Sequence, residues 1–204
     1  MTSAARSETI EQAVNLLEAA GDELAAGLAD SSLDKAGRAA RILEARCGAD
    51  HPDVANAHLA VGAAQESLGD FGAAALAYRR AMATMDGYVD RLGDDQALAR
   101  LLVQSHTAVG TIERILGSLD VAHATLSSAV ELAELLLGEH DSDTGWALNA
   151  LGIVCKYAGS FAEGAEHYRR ALAVVEINEG PGSVAAAAIW HNIAGLAFDA
   201  GDYD

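Results

Sequence analysis

The chain has 204 residues and a formal net charge of −17, from 30 acidic and 13 basic side chains. Such an excess of acid repels polyanions, which excludes duplex nucleic acid and anionic membrane surfaces as expected partners. Hydrophobic residues make up 51% of the chain but aromatic ones only 5%, and Pro52 and Pro181 are the only prolines, so alanine-rich helices are predicted.

The N-terminal sequence MTSAARSETIEQAV lacks the apolar segment of a secretory signal. No apolar run in the sequence reaches the roughly 18 residues that a membrane-spanning helix needs. Cys47 and Cys155 are the only cysteines and lie far apart, which favours two unpaired thiols in a reducing compartment. These features predict a cytoplasmic protein.

Residues 1–50 predict one divergent helix pair that caps the N-terminal end of the fold. Ser31 or Ser32 is the expected N-cap of the second of these helices. One face of the first helix carries apolar residues at helical spacing, namely Ile10, Val14, Leu17, Leu24 and Leu28. The second helix carries a similar stripe, namely Leu33, Ala36, Ala40 and Leu43.

Residues 51–204 repeat one pattern, which is best seen from a small anchor residue in each copy. A glycine follows each anchor at +7, a large apolar residue at +9, and apolar or small residues at +12, +16 and +19. The anchors are 48, 42 and 42 residues apart, namely Gly62, Gly110, Gly152 and, in a partial fourth copy, Ala194. The predicted units are about 51–98, 99–142 and 143–182, with a half-unit at 183–204.

Each copy predicts two helices joined by a turn. The glycine at +7 ends the first helix, because a left-handed backbone is cheap for glycine. The second helix then begins at +9, at Phe71, Leu119, Phe161 and Tyr203. Its positions +12, +16 and +19 form an apolar stripe that one helix pair cannot bury alone, so successive pairs are expected to stack.

Helix start signals agree with these units. Pro52, followed by Asp53, suits the first turn of a helix. Ser142 or Asp143 is the expected N-cap of the unit that begins at residue 143, and Ser183 is the expected N-cap of the last helix.

The anchor, the Gly-x-aromatic turn and the Ala, Tyr, Ala stripe resemble the tetratricopeptide repeat over residues 51–204. The 42-residue period and the linker GADHPDVA are most similar to its kinesin-light-chain subtype. The resemblance implies an all-α fold, a right-handed α-solenoid of stacked antiparallel helix pairs. It also implies a non-catalytic protein–protein interaction module that binds a peptide or protein segment in a concave groove along the first helices.

An alternative function is a sensor or scaffold arm of a larger multidomain signalling or regulatory protein. The fourth copy ends where a second helix should begin, which motivates that alternative. An apolar face left uncovered there would favour self-association.

The first helices carry a second stripe, at offsets −6, −3, +4 and +5 from the anchor, on a face away from the core. Its amides suit the backbone of an extended peptide, its two cations suit carboxylates, and its aromatic residues suit apolar anchors. The predicted groove lining is Asn56, Gln104, Thr107, Arg114, Trp146, Asn149, Lys156, Tyr157 and His191. The other interpretation of this stripe is a polar face whose charges pair within the stack.

Catalytic, metal and cofactor sites are not predicted from the sequence. His58 and His106 occupy equivalent offsets, but no third metal ligand follows from the spacing, so partly buried histidines are expected. Residues 141–145 resemble the start of a calcium loop but lack its third acidic ligand. The two-lysine carboxylate clamp of chaperone-binding relatives is not present either, which argues against a chaperone-tail partner.

Overall fold

The computed structural model describes residues 9–201, and all regular structure in that range is helical. The chain divides into two compact units between Gly93 and Asp94. Tyr203, the predicted start of a further helix, lies outside the described residues, as do the last residues of the predicted half-unit.

Among residues 9–93, the first unit contains four α-helices and a short 3-10 turn. The α-helices are α1 (Ile10–Ala25), α2 (Ala29–Cys47), α3 (Pro52–Ser67) and α4 (Phe71–Asp86), and the 3-10 turn is Val89–Arg91. Each α-helix packs on the next, and α1 also contacts α3. The first helices α1 and α3 therefore lie side by side, each with its second helix behind it.

The described part of the second unit, residues 94–201, contains five helices arranged in the same way. They are α5 (Gln96–Ile115), α6 (Leu119–Leu136), α7 (Ser142–Ala158), α8 (Phe161–Glu179) and α9 (Val184–Ala200). Each helix packs on the next, and α7 also contacts both α5 and α9. The first helices α5, α7 and α9 thus form one layer, and the second helices α6 and α8 form the other.

The predicted helix boundaries of the repeat are confirmed. Second helices begin at Phe71, Leu119 and Phe161, and Pro52 is the first residue of α3. The glycines seven residues after the anchors all have a left-handed backbone, with φ of 79° at Gly69, 84° at Gly117, 78° at Gly159 and 76° at Gly201. These glycines turn the chain between the two helices of each pair.

The anchor glycines lie against a large side chain of the second helix, sixteen positions later in each copy. A Cβ added at the anchor would stand 2.4 Å from the partner ring or side chain at Gly62 (Tyr78) and Gly110 (Leu126), and 2.8 Å at Gly152 (Tyr168). We call this contact the anchor joint. It confirms that the small anchor lets the two helices approach closely.

The first helix pair differs from the prediction in which face it buries. The side chains of Ile10, Val14 and Leu28, expected on a buried face, are 44%, 43% and 56% exposed. The buried residues of α1 are instead the alanines Ala13 and Ala20. Small side chains allow α1 and α2 to pack closely, and the larger ones are left at the edge of the interface.

The N-cap predicted at Ser31 or Ser32 is wrong, because α2 begins earlier, at Ala29. Ser32 lies inside the helix, is buried, and donates a hydrogen bond from its hydroxyl to the Ala20 carbonyl, at 2.8 Å. Ala20 stands 42 residues before Gly62, and Ala36 follows it by sixteen, so two buried alanines occupy the anchor-joint positions of this pair. That residues 1–50 act as a cap stays a prediction.

The start of α7 also differs by one residue from the prediction. Its N-cap is Asp141 rather than Ser142 or Asp143, and the Asp141 carboxylate accepts a hydrogen bond from the Asp143 amide, at 2.9 Å. An aspartate satisfies a free amide of the first turn better than the serine that follows it, because it carries a full charge. The predicted cap of α9 is confirmed, since the Ser183 hydroxyl accepts from the Ala186 amide at 3.1 Å.

Candidate functional site

The predicted groove lining is divided between the two units. Asn56 lies on α3 of the first unit, is exposed, and borders a cavity of about 370 Å³ together with Val14, Leu17 and Asp53. Val14, one of the exposed apolar residues of α1, therefore lines an open cavity beside Asn56. The remaining predicted residues lie on α5, α7 and α9 of the second unit.

Helix α7 carries four of the predicted residues and lies between α5 and α9. Successive members of this set are three, seven and one positions apart, which places them along one side of the helix. They are Trp146, Asn149, Lys156 and Tyr157. The core residues Leu148 and Val154 point elsewhere and are fully buried. The sequence prediction of separate core and surface stripes on this helix thus agrees with the observed burial.

An ionic cluster holds the N-terminal end of α7 to α5. The Arg100 guanidinium donates to the Asp141 carboxylate at 2.9 and 2.6 Å and to the Asp143 carboxylate at 2.6 Å. These hydrogen bonds, to Asp141 first, raise the pKa of Arg100 above its ordinary value. Gln104, a predicted groove residue, donates to the same Asp143 at 3.0 Å.

Sequence analysis missed this cluster. The feature of the sequence that indicates this cluster is a separation of about one repeat. Arg100 stands 41 and 43 residues before its two aspartate partners. Charges of opposite sign that lie one repeat apart on first helices are candidates for pairs between adjacent units.

The middle of the layer is joined by amides. The Asn192 side-chain amide on α9 donates to the Asn149 side-chain carbonyl on α7, at 2.9 Å. The Thr107 hydroxyl donates to the Val103 carbonyl of its own helix at 2.9 Å. Asn149 is therefore joined to α9 through its side-chain carbonyl oxygen.

Both predicted cations contact the next first helix. The Arg114 guanidinium lies over the Tyr157 ring, 5.4 Å from its centre, and the Lys156 ammonium lies 3.2 Å from the Asp199 carboxylate. In each case a side chain at +4 contacts the side chain at +5 of the following copy. These contacts are of the kind that the polar-face interpretation predicts, and they fix the positions of both cations.

Large aromatic side chains on α7 and α9 are exposed to solvent. The exposed fractions are 43% for Trp146, 62% for Tyr157, 53% for Trp190 and 66% for Phe198. His191, a predicted groove residue, is also exposed. Trp190 and Phe198 were not among the predicted groove residues. Exposed aromatic residues are unusual on solvated surfaces and are enriched at protein interfaces.

The two histidines that were weighed as metal ligands have other partners. The His58 imidazole is buried and lies 3.3 Å from the Glu44 carboxylate, whereas the His106 ring contacts the Leu102 carbonyl at 3.2 Å. Within residues 9–201, no helix is both long and apolar enough to cross a membrane.

Comparison with known proteins identifies the repeat. The tetratricopeptide repeat family model matches residues 98–177. No curated protein sequence matches the chain.

Solved structures share the fold over almost the whole chain. BtubC (BKLC) from P. vanneervenii has a TM-score of 0.67 at 20% identity, with 98% of this chain and 86% of that chain covered. A putative kinesin light chain with TPR-like repeats from Podosopora anserina has a TM-score of 0.74 at 14% identity, covering 96% and 90%. The apo form of RapI has a TM-score of 0.63 at 15% identity, covering 93% and 69%. These likenesses confirm the predicted fold class, an all-α repeat solenoid.

Proposed function

Because residues 98–177 belong to the tetratricopeptide repeat family, we propose that this chain binds a peptide or protein segment on the first-helix layer of its second unit. Tetratricopeptide repeats are typically non-catalytic modules for protein–protein interaction. The finer proposal is the location of the binding surface. It lies along α7, between α5 and α9, and includes the predicted residues of those helices.

The observation that carries the proposal is the pair of exposed aromatic residues on α7. Trp146 is 43% and Tyr157 62% exposed, although the chain as a whole contains few aromatic residues. Burying rings of this size releases a large apolar area, which is why tryptophan and tyrosine dominate binding energies at interfaces.

The contacts around these rings keep them in place before a partner arrives. The Arg114 guanidinium lies over the Tyr157 ring, and the hydrogen bond between Asn149 and Asn192 joins α7 to α9 between the two aromatic residues. A surface that is already ordered loses less side-chain entropy on binding, and this favours affinity. The polar contacts within this layer are therefore compatible with its use as a binding surface.

The partner is expected to carry apolar side chains and at least one carboxylate. The apolar groups would lie against Trp146 and Tyr157. A carboxylate would accept hydrogen bonds from the N–H groups of Arg114, because stacking on a ring uses the face of a guanidinium and leaves its edge available.

The test is a binding measurement with a defined ligand. Peptides selected from a random display library against the purified chain would be synthesised, and their affinities measured by calorimetry. Trp146→Ala and Tyr157→Ala should each weaken binding by at least about tenfold, as loss of an anchor residue does. The circular dichroism of both variants should match that of the parent chain.

The matched control is Leu135→Ala, which removes an 80% exposed apolar side chain from α6 in the other layer. This variant should bind the selected peptides as the parent chain does. If neither aromatic substitution changes the affinity for the selected peptides, the binding surface lies elsewhere. The same conclusion follows if Leu135→Ala lowers the affinity as much as the aromatic substitutions do.

A further inference from the structure

Three helices of the second unit bring together a histidine, a cysteine and a glutamate. His123 lies on α6, Cys155 on α7 and Glu163 on α8, and one ligand atom from each lies within 4.8 Å of the other two. The His123 Nε2 is 3.0 Å from a Glu163 carboxylate oxygen. Cys155 is fully buried, whereas His123 and Glu163 are 38% and 47% exposed, so the cluster reaches from the core to the surface.

A second histidine stands beside this cluster. The His167 Nε2 lies 3.6 Å from the same Glu163 oxygen, and the His167 side chain is only 16% exposed. Neither ring nitrogen of His167 has a hydrogen-bond partner, although both are buried. Because an unsatisfied buried polar group destabilises a protein, a ligand that binds a ring nitrogen of this imidazole would stabilise the fold.

The four side chains offer one sulfur, two nitrogens and one oxygen, and zinc is the metal that such a mixed set of donors suits best. Around a tetrahedral zinc ion, with bonds of about 2.0–2.3 Å, neighbouring donor atoms are roughly 3.4 Å apart. The two separations measured from the Glu163 carboxylate, 3.0 Å to His123 and 3.6 Å to His167, are close to that value. His167 lies outside the group of three whose ligand atoms are all within 4.8 Å of one another, so its ring has to move inward to complete the set.

The protonation states are compatible with metal binding. Burial lowers the pKa of His167, so its imidazole is neutral and keeps a lone pair near neutral pH. Burial, together with the Glu163 carboxylate, raises the pKa of the Cys155 thiol to about 11. A bound dication reverses this effect, because it stabilises the thiolate directly.

We propose that His123, Cys155, Glu163 and His167 form a zinc site that ties α6, α7 and α8 together. The site joins the helix pair α5–α6 to the pair α7–α8, on the opposite side of α7 from its exposed aromatic residues. It does not depend on the proposed peptide-binding function.

Another group of potential ligands lies in the first unit and provides a control. Cys47, His51 and Asp53 also offer atoms within 4.8 Å of one another. There, however, the His51 Nδ1 already accepts a hydrogen bond from the Asp53 amide at 3.2 Å, as the N-cap of α3.

The experiment loads the full chain with Zn²⁺, removes unbound metal by gel filtration, and measures the retained metal by atomic emission. We expect one zinc ion per chain and a higher melting temperature than for the metal-free chain. His123→Ala and His167→Ala should weaken zinc binding by about 100-fold or more, since loss of an outer-shell partner alone costs 10–100-fold. His123 is half-exposed, so its variant should fold normally.

Loading with Co²⁺ tests the sulfur ligand. The parent chain and Cys47→Ser should both show the thiolate-to-cobalt charge-transfer absorption, and Cys155→Ser should lack it. Absence of retained zinc in the parent chain would overturn the proposal. So would retention of zinc by His123→Ala at the parent level, or loss of the cobalt absorption in Cys47→Ser rather than in Cys155→Ser.

Discussion

In the helix pair α7–α8 the anchor glycine Gly152 faces the ring of Tyr168, whereas in α1–α2 the anchor is Ala20 and the residue sixteen positions later is Ala36. All four residues are buried. Two small side chains therefore stand at the positions where α7–α8 has a large side chain against a bare backbone. The comparison indicates that the two residues of a joint are complementary in size, since the large partner stands opposite glycine and the small partner opposite alanine.

The α1–α2 joint also has a contact of its own. The Ser32 hydroxyl donates to the Ala20 carbonyl, across the two helices, at the +12 position where α7–α8 has Gly164. Two alanines bury less apolar area than a tyrosine on a glycine, and the hydrogen bond offsets part of this difference.

The largest expected effect comes from shrinking the large partner. Tyr168→Ala should lower the free energy of unfolding by about 3–5 kcal/mol. Gly152→Ala should cost about 1–3 kcal/mol in the parent chain, because its Cβ would stand 2.8 Å from the Tyr168 ring. In the Tyr168→Ala background, Gly152→Ala should cost nothing or stabilise.

Urea unfolding followed by tryptophan fluorescence measures these changes in the second unit, because Trp146 and Trp190 are the only tryptophans of the chain. If Gly152→Ala has the same cost in both backgrounds, size complementarity between anchor and partner is not what the joint conserves.

An intermediate effect is expected when the small partner residue of the α1–α2 joint is enlarged. Ala36→Leu should overpack the buried joint with Ala20 and cost about 1–3 kcal/mol. Ala20→Gly should recover part of this loss, although glycine in a helix itself costs about 1 kcal/mol. Hydrogen exchange of the amides of α1 and α2 measures the change locally. A double variant that is no more stable than Ala36→Leu alone would contradict the comparison.

The smallest expected effect is a pH dependence of stability. It arises from the residue four positions before the anchor. This position is the fully buried Leu148 in α7 but the buried His58 in α3. Burial lowers the pKa of His58 below its ordinary value of about 6.5, more strongly than the nearby Glu44 carboxylate raises it. The folded first unit therefore resists protonation of His58 more than the unfolded chain does.

The resulting contribution to stability is complete above about pH 6.5 and is lost as the pH falls through the lowered pKa of His58. His58→Leu gives α3 the residue type that α7 has at this position, and it should remove this loss of stability at low pH. Thermal unfolding at about pH 7.5 and about pH 5.5 measures it, and the melting temperature should fall less in the variant than in the parent chain. An equal fall in both would assign the pH dependence to other groups.

The sequence predicts contacts within a helix pair better than contacts between pairs. The starts at Phe71 and Phe161 and the glycine turns were predicted correctly, because they depend on a few residues at fixed offsets. The α1–α2 joint was missed because alanine is common throughout the chain, so an alanine anchor such as Ala20 does not stand out. The exposed Phe198 lies at the +4 position of the predicted stripe, whereas the exposed Trp190 was missed because exposure depends on which elements cover a helix.

The contacts between pairs require knowledge of how the helices stack. Arg100 and Asp141 lie on different helices, as do His123, Cys155 and Glu163, and the spacing of the residues within any one helix does not reveal these groups. Their separation along the chain is informative only after the repeat length is known. Whether the predicted groove residues bind a partner depends on a second molecule, which the sequence does not contain.

The hydrogen bond between Asn149 and Asn192 joins residues 43 positions apart, and the Arg100 pairs in the same unit span 41 and 43. Contacts of this kind join each helix pair to the pair next to it, so the pairs of this unit are stabilised by their nearest neighbours. Folding of the second unit can therefore nucleate at any helix pair and spread to its neighbours.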